Sequence, residues 1–138
     1  MIEIEEKGSS GRTAAVLVID DDPDVREFVA ESLSDLGYSV RTADDGAAGI
    51  EEFGKARPDI VILDYAMPGM SGGEVAAQLL ELVPGQPILF VSGYSESEAI
   101  RRAAPQARIL AKPFKPAALD AAVREALGDG KNGGDGKS

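Results

Sequence analysis

The chain has 138 residues, 24 acidic and 14 basic, for a formal net charge of −10. That length suits one domain whose core is large enough to need no cross-links, and the acidity argues against free nucleic acid as a direct partner. The absence of Cys and His excludes disulfides, thiol catalysis, thiolate or imidazole metal ligation, and a phosphohistidine within this chain.

Residues 1–12 close on Gly8-Ser9-Ser10-Gly11-Arg12 and read as a flexible leader or linker. The acidic start from Met1 to Lys7 lacks a signal-peptide pattern, and no apolar run approaches the ~20 residues of a membrane span. No membrane partner is expected, and a cytoplasmic location is the simplest reading.

Ala14 to Ile19 is a β-branched, apolar run stopped by three aspartates, the pattern of a buried strand. Asp22 is suited to cap a helix and Pro23 to be its first residue. Val25, Phe28, Val29, Leu33 and Leu36 recur at helical spacing, and Gly37 closes that helix. Tyr38 to Ala43 alternates as a second strand. Asp44 or Asp45 caps a short helix with Ala47, Ile50 and Phe53 inward.

Asp59 to Leu63 is the third strand, and Asp64 follows at its end. Gly72 or Gly73 opens a helix through Val83, with Val75, Ala76, Leu79, Leu80 and Val83 on its buried side. Pro87 to Val91 is the fourth strand, leading into Ser92-Gly93-Tyr94-Ser95. Ser95 to Ala104 is a short, polar helix cut off by Pro105. Ala107 to Ala111 is the fifth strand, followed by Lys112-Pro113-Phe114. Lys115 or Pro116 starts the last helix, with Leu119, Ala122, Val123, Ala126 and Leu127 inward. The domain is therefore expected over residues 13–128, with 129–138 as a Gly-, Asp- and Lys-rich disordered tail.

Strictly alternating strands and helices with buried apolar strands predict an α/β fold, a five-stranded parallel sheet covered by helices on both faces. The natural arrangement is flavodoxin-like, (βα)5, with strand order 2-1-3-4-5 and ligands beyond the carboxyl ends of the strands. Those ends carry Asp20 and Asp21 from strand one, Asp64 from strand three, Ser92 from strand four and Lys112 from strand five.

Three gathered carboxylates repel one another, so they raise their own pKa values or take a cation. Oxygen donors without His or Cys favour a hard ion such as Mg²⁺. Lys112 and Ser92 suit a phosphoryl oxygen, and a carboxylate can itself be the nucleophile that becomes an aspartyl phosphate. Each element alone has a plainer meaning. Asp20-Asp21-Asp22 is a turn and cap, Ser92-Gly93 a turn, and Lys112-Pro113 a solvated loop. Their joint placement at four strand ends is what coincidence explains poorly. A calcium loop with Asp20, Asp22, Asp24 and Glu31 as ligands fails, because its sixth position is Val25 where a sharp turn wants Gly.

Four motifs, Val16-Leu17-Val18-Ile19-Asp20-Asp21-Asp22, Leu63-Asp64-Tyr65-Ala66-Met67-Pro68-Gly69-Met70-Ser71-Gly72, Phe90-Val91-Ser92-Gly93-Tyr94 and Ala111-Lys112-Pro113-Phe114, span roughly residues 14–127. In order and spacing the chain resembles the receiver (response-regulator) domain of two-component phosphorelay signalling. The resemblance implies that Asp64 is the phosphoacceptor, charged by a phosphohistidine on a histidine kinase or histidine phosphotransfer protein. It implies that Asp20, Asp21, Asp64 and the backbone carbonyl of Ala66 hold Mg²⁺, that Ser92 is the switch hydroxyl, and that Lys112 contacts a phosphoryl oxygen. It implies a cis peptide bond before Pro113 and, in some relatives, homodimers through the fourth and fifth helices. No independent catalytic activity is expected beyond phosphoryl uptake and loss on Asp64.

Three departures from the family pattern stand out. Ile109 occupies the position of the usual aromatic switch residue, so the usual ring swing cannot operate as such; Tyr94 is a substitute to test. The segment from Ser92 to Lys112 is short, as in receivers of hybrid histidine kinases and some single-domain receivers. Gly128 to Ser138 is too short for a DNA-binding module. Two alternatives stand beside the receiver reading. One is a haloacid-dehalogenase-type phosphatase using Asp20 and Asp22, which leaves Asp64 without a role. The other is a degenerate receiver serving only as an interaction module.

Overall fold

The computed structural model describes residues 14–132, with side chains described through Gly128. The leader at 1–12 and residues 133–138 of the expected tail lie outside the described residues. The strands are β1 (Ala15–Ile19), β2 (Ser39–Ala43), β3 (Ile60–Asp64), β4 (Ile88–Ser92) and β5 (Arg108–Ala111), apolar runs except for the alternating β2. Between and after them lie the helices α1 (Pro23–Asp35), α2 (Gly46–Lys55), α3 (Gly72–Leu82), α4 (Tyr94–Ala103) and α5 (Pro116–Asn132). All strand pairs are parallel, in the order β2-β1-β3-β4-β5. The flavodoxin-like 2-1-3-4-5 sheet is thus the observed one, and chain direction across the sheet reverses between β1 and β3.

Alternation within the strands divides the core in two. Val16, Val18, Ile60, Ile62, Leu89 and Val91 face α1 and α5, meeting Val29, Leu33, Leu119, Val123 and Ala126. Leu17, Ile19, Val61, Leu63 and Phe90 face the other way, onto Phe53, Val75, Ala76, Leu79 and Ile100 of α2, α3 and α4. Both faces of the central strands are covered, which is why their sequences read as continuous apolar runs.

Local chemistry fixes the ends of α1. The Asp22 carboxylate accepts from the backbone N–H of Asp24 at 2.9 Å and of Val25, and Pro23 opens the first turn. At the other end Gly37 adopts a φ of 99°. Its N–H donates to the Ser34 carbonyl and that of Tyr38 to the Leu33 carbonyl, a Schellman closure that needs a residue tolerant of left-handed backbone. Replacing the cap, Asp22→Ala, is expected to cost about 1 kcal/mol in a urea titration. Asp22→Asn, which keeps an acceptor, is expected to cost only a few tenths of that.

Several sequence expectations shift. Ala47 is exposed; α2 instead buries Gly46, Gly49 and Phe53, because the helix runs so close to β1 that a Cβ on Gly49 would meet Ile19 Cδ1 at 2.4 Å. Leu80 is 39% exposed at the edge of the stripe on α3. α5 continues to Asn132, four residues past the expected domain boundary at 128. No helix among the described residues is long and apolar enough to cross a membrane.

Candidate functional site

Parallel register brings the strand ends together. Ile19 lies beside Leu63, so Asp20 and Asp64, each one residue further, emerge as neighbours. Asp64 is itself the last residue of β3, paired with Val91, and Ser92 ends β4 beside Ala111. The Lys112 backbone N–H donates to the Ser92 carbonyl at 2.8 Å, and the Lys112–Pro113 bond is cis.

Asp20, Asp21 and Asp64 each place one carboxylate oxygen within 4.8 Å of the others. Asp20 and Asp64 are only 3% exposed, whereas Asp21 is open to solvent. Water can do little to offset the repulsion of the buried pair. Burial, then the neighbouring charge of Asp20, push the Asp64 carboxyl up to about 6, and Lys112 opposes them without cancelling them. Asp20 is also raised, chiefly by burial, although its Oδ1 accepts from the Asp22 N–H at 2.9 Å. Lys112 Nζ donates to Asp64 Oδ1 at 3.2 Å. Burial works against its ammonium, but Asp64, Asp20 and Glu96 outweigh it and leave the Lys112 pKa raised.

The remaining predicted residues are placed less centrally. Ala66 is exposed in the loop after β3. Ser92 is fully buried, and its hydroxyl lies 2.7 Å from that of Ser97 on α4. Ile109 on β5 sits beside Phe90 and packs against the cluster that includes Tyr65 and Ile100. Tyr94 is 77% exposed at the start of α4, so the aromatic contact next to Ile109 is the edge-on pair Tyr65–Phe90, with ring centroids 5.8 Å apart. Asp22, which a phosphatase would need as acid and base, is instead the α1 cap.

The loop after β3 is held from α3. Ser71 Oγ accepts from the Glu74 N–H and the Glu74 carboxylate accepts from the Ser71 N–H, a reciprocal cap on α3. The Gly72 N–H donates to the Tyr65 carbonyl at 2.8 Å, tying the first turn of α3 to the residue after Asp64. Two residues of the site were not singled out from sequence, Tyr65 and Ser97. The signal for Tyr65 was its adjacency to Asp64; for Ser97 it was a hydroxyl one helical turn beyond Gly93.

A family model for the response regulator receiver domain matches residues 16–124. The chain belongs to that family. The response regulator MprA of Mycobacterium leprae is 39% identical over 115 residues, covering 81% of this chain and 50% of that protein. Against the curated relatives it matches, the receiver spans from about a quarter to half of their length. The crystal structure of NtrX from Brucella abortus superimposes with a TM-score of 0.81 at 30% identity, over 86% of this chain and 28% of that one. The Vibrio cholerae chemotaxis protein CheY4 gives a TM-score of 0.73 at 34% identity, over 83% of this chain and 99% of its own. A receiver of this family is thus a signalling domain of two-component systems, with its acidic cluster at the carboxyl edge of the sheet.

Proposed function

We propose that this receiver is a phosphorylation-dependent switch in which Asp64 takes a phosphoryl group from a phosphohistidine on a histidine kinase or histidine phosphotransfer protein. The observation that carries this reading is the buried Asp64 carboxylate, paired with Lys112 and crowded by Asp20 and Asp21. An Asp64 oxygen attacks phosphorus, the P–O bond forms, the P–N bond breaks and the partner's imidazole leaves with its electron pair. No general base is needed, because the attacking group is a carboxylate already ionised near neutral pH.

The donor set fits Mg²⁺: three carboxylate oxygens that converge, two of them on buried groups whose negative charge lacks enough compensation. Asp20, Asp21 and Asp64, with the Ala66 carbonyl, would hold it. When bound, the ion neutralises charge on the phosphoryl oxygens and offsets the carboxylate repulsion. Lys112 positions a phosphoryl oxygen through its ammonium, and the Ser92 hydroxyl donates to another after it turns. With Ile109 at the aromatic position, the response to that turn runs through packing around Tyr65 and Phe90 and through α4.

The test is direct. With Mg²⁺ and acetyl phosphate or a phosphorylated histidine kinase, the protein is expected to take up an acid-stable, base-labile phosphate. Asp64→Asn is expected to abolish the label and Asp22→Asn to retain it. Steady phosphomonoester turnover dependent on Asp22 would sink the reading, and absence of any label would favour an interaction module.

A further inference from the structure

We propose that Ser97 is a positioning residue that holds the Ser92 hydroxyl in its resting orientation and so sets the cost of turning it toward Asp64. This rests on the switch role proposed above for Ser92. Both hydroxyls are shielded from water, Ser92 at 0% and Ser97 at 1% exposure, and their oxygens are 2.7 Å apart. Each hydroxyl has one proton. Ser97 Oγ donates to the Gly93 carbonyl at 2.8 Å, one turn back along α4, so its proton is committed. The arrangement that satisfies both contacts makes Ser92 the donor between the two serines. In the resting protein its only proton is aimed at α4, away from the carboxylates at the strand ends.

A phosphoryl group on Asp64 asks for that same proton. Ser92 can supply it only by leaving Ser97, whose accepting lone pair then loses its donor in a place water does not reach. A second arrangement, in which Ser97 turns round and donates to Ser92, would give up the hydroxyl bond to the Gly93 carbonyl and leave that oxygen to the Ser97 N–H alone. The first turn of α4 is fastened to the β4 end by two further bonds, Ser97 N–H to the Gly93 carbonyl at 2.9 Å and Gly93 N–H to Glu96 Oε1 at 2.9 Å. Release of Ser92 is thereby felt first at the start of α4. The pair links strand end to helix by hydroxyl contact, without a ring at position 109.

The test uses the full chain as wild type, Ser97→Ala and Ser97→Thr, with circular dichroism to check folding. Three-bond couplings read the Ser92 χ1 in the unphosphorylated protein. Fluorine NMR reads the affinity for beryllofluoride, a phosphoryl mimic, in the presence of Mg²⁺. The wild type is expected to show one Ser92 rotamer and Ser97→Ala an average over several. Ser97→Ala is expected to bind the mimic about fivefold more tightly, the equivalent of ~1 kcal/mol for one neutral hydrogen bond. Ser97→Thr, which keeps the hydroxyl, is expected to restore both wild-type values. A Ser92 rotamer unchanged in Ser97→Ala overturns the proposal, and so does weaker binding of the mimic, which would mean that Ser97 supports the turned state. Rotamer averaging with no mimic bound by any variant supports the positioning role and overturns the acceptor reading instead.

Discussion

Asp64→Asn, the substitution that should end phosphoryl uptake, is expected to stabilise the metal-free protein at pH 7. The reason is the electrostatic position of the carboxylate. Its folded pKa is about 6 against an ordinary value of 3.8, with burial the largest cause and Asp20 the next. At pH 7 the group is ionised in both folded and unfolded states, and only the folded state bears the burial and repulsion. The shift, which is already net of the opposing contact with Lys112, corresponds to roughly 3 kcal/mol in favour of the amide.

The sign with pH follows. Below about 6 the folded protein takes up a proton on Asp64 that the unfolded chain does not take up until near 3.8. This group's destabilisation is therefore complete above pH 6 and fades as the pH falls toward 4. In EDTA, the advantage of Asp64→Asn in urea titrations should be largest at pH 7 and clearly smaller at pH 5. Mg²⁺ should reverse the order at pH 7 by stabilising the wild type through ligand linkage, with little effect on the variant. An Asp64→Asn protein that is no more stable than wild type in EDTA at pH 7 would show that the carboxylate is not held at the electrostatic cost its surroundings imply.

The second large effect is expected at Gly72. A Cβ there would stand 2.5 Å from the Asp64 carbonyl oxygen and 2.6 Å from the Tyr65 Cα, both backbone atoms that cannot step aside. The first turn of α3 would have to retreat, breaking the bond from the Gly72 N–H to the Tyr65 carbonyl. Overpacking and the lost bond together predict a cost of roughly 2–4 kcal/mol for Gly72→Ala in chemical denaturation. Phosphoryl uptake should fall with it, since the retreating turn no longer ties down the residue after Asp64. Gly73 is the internal control. A Cβ on Gly73 would meet the Tyr65 side chain at 3.5 Å and Ser71 Oγ at 3.8 Å, ordinary contacts with side-chain atoms. Gly73→Ala is expected to be neutral or to stabilise by about 0.5 kcal/mol through helix propensity. Equal effects at the two positions would mean that the close approach at Gly72 does not govern the loop.

The features legible in the sequence were those with local causes. Asp22, Pro23 and Gly37 state the ends of α1 because capping and left-handed backbone depend on the residues themselves. The strand order and the carboxylate cluster were legible because alternation of β and α leaves few topologies, and because the charged residues follow directly after apolar runs. What the sequence obscured depends on neighbours distant along the chain. Asp64 and Ser92 belong to their strands through backbone pairing with Val91 and Ala111, although the apolar runs stop one residue earlier. Gly46 and Gly49 form the buried side of α2 because β1 and α3 approach it closely, which a helical periodicity of larger residues cannot register. Ser97 is buried on a helix that reads as polar, since its partners are another hydroxyl and a carbonyl. The continuation of α5 through Gly128 and on to Asn132 overrides the usual reading of glycines as helix breakers.

The edge-on contact between Tyr65 and Phe90 has an optical consequence. The chain has three tyrosines and no tryptophan, so no indole drains tyrosine emission by energy transfer or covers its near-ultraviolet bands. Tyr38 is buried and Tyr94 is open to water. Tyr65 alone is bonded directly to the residue at the centre of the acidic cluster, with its ring held asymmetrically against a second aromatic. The receiver thus carries a native chromophore one peptide bond from Asp64, and events at the strand end can be followed by tyrosine dichroism without any label.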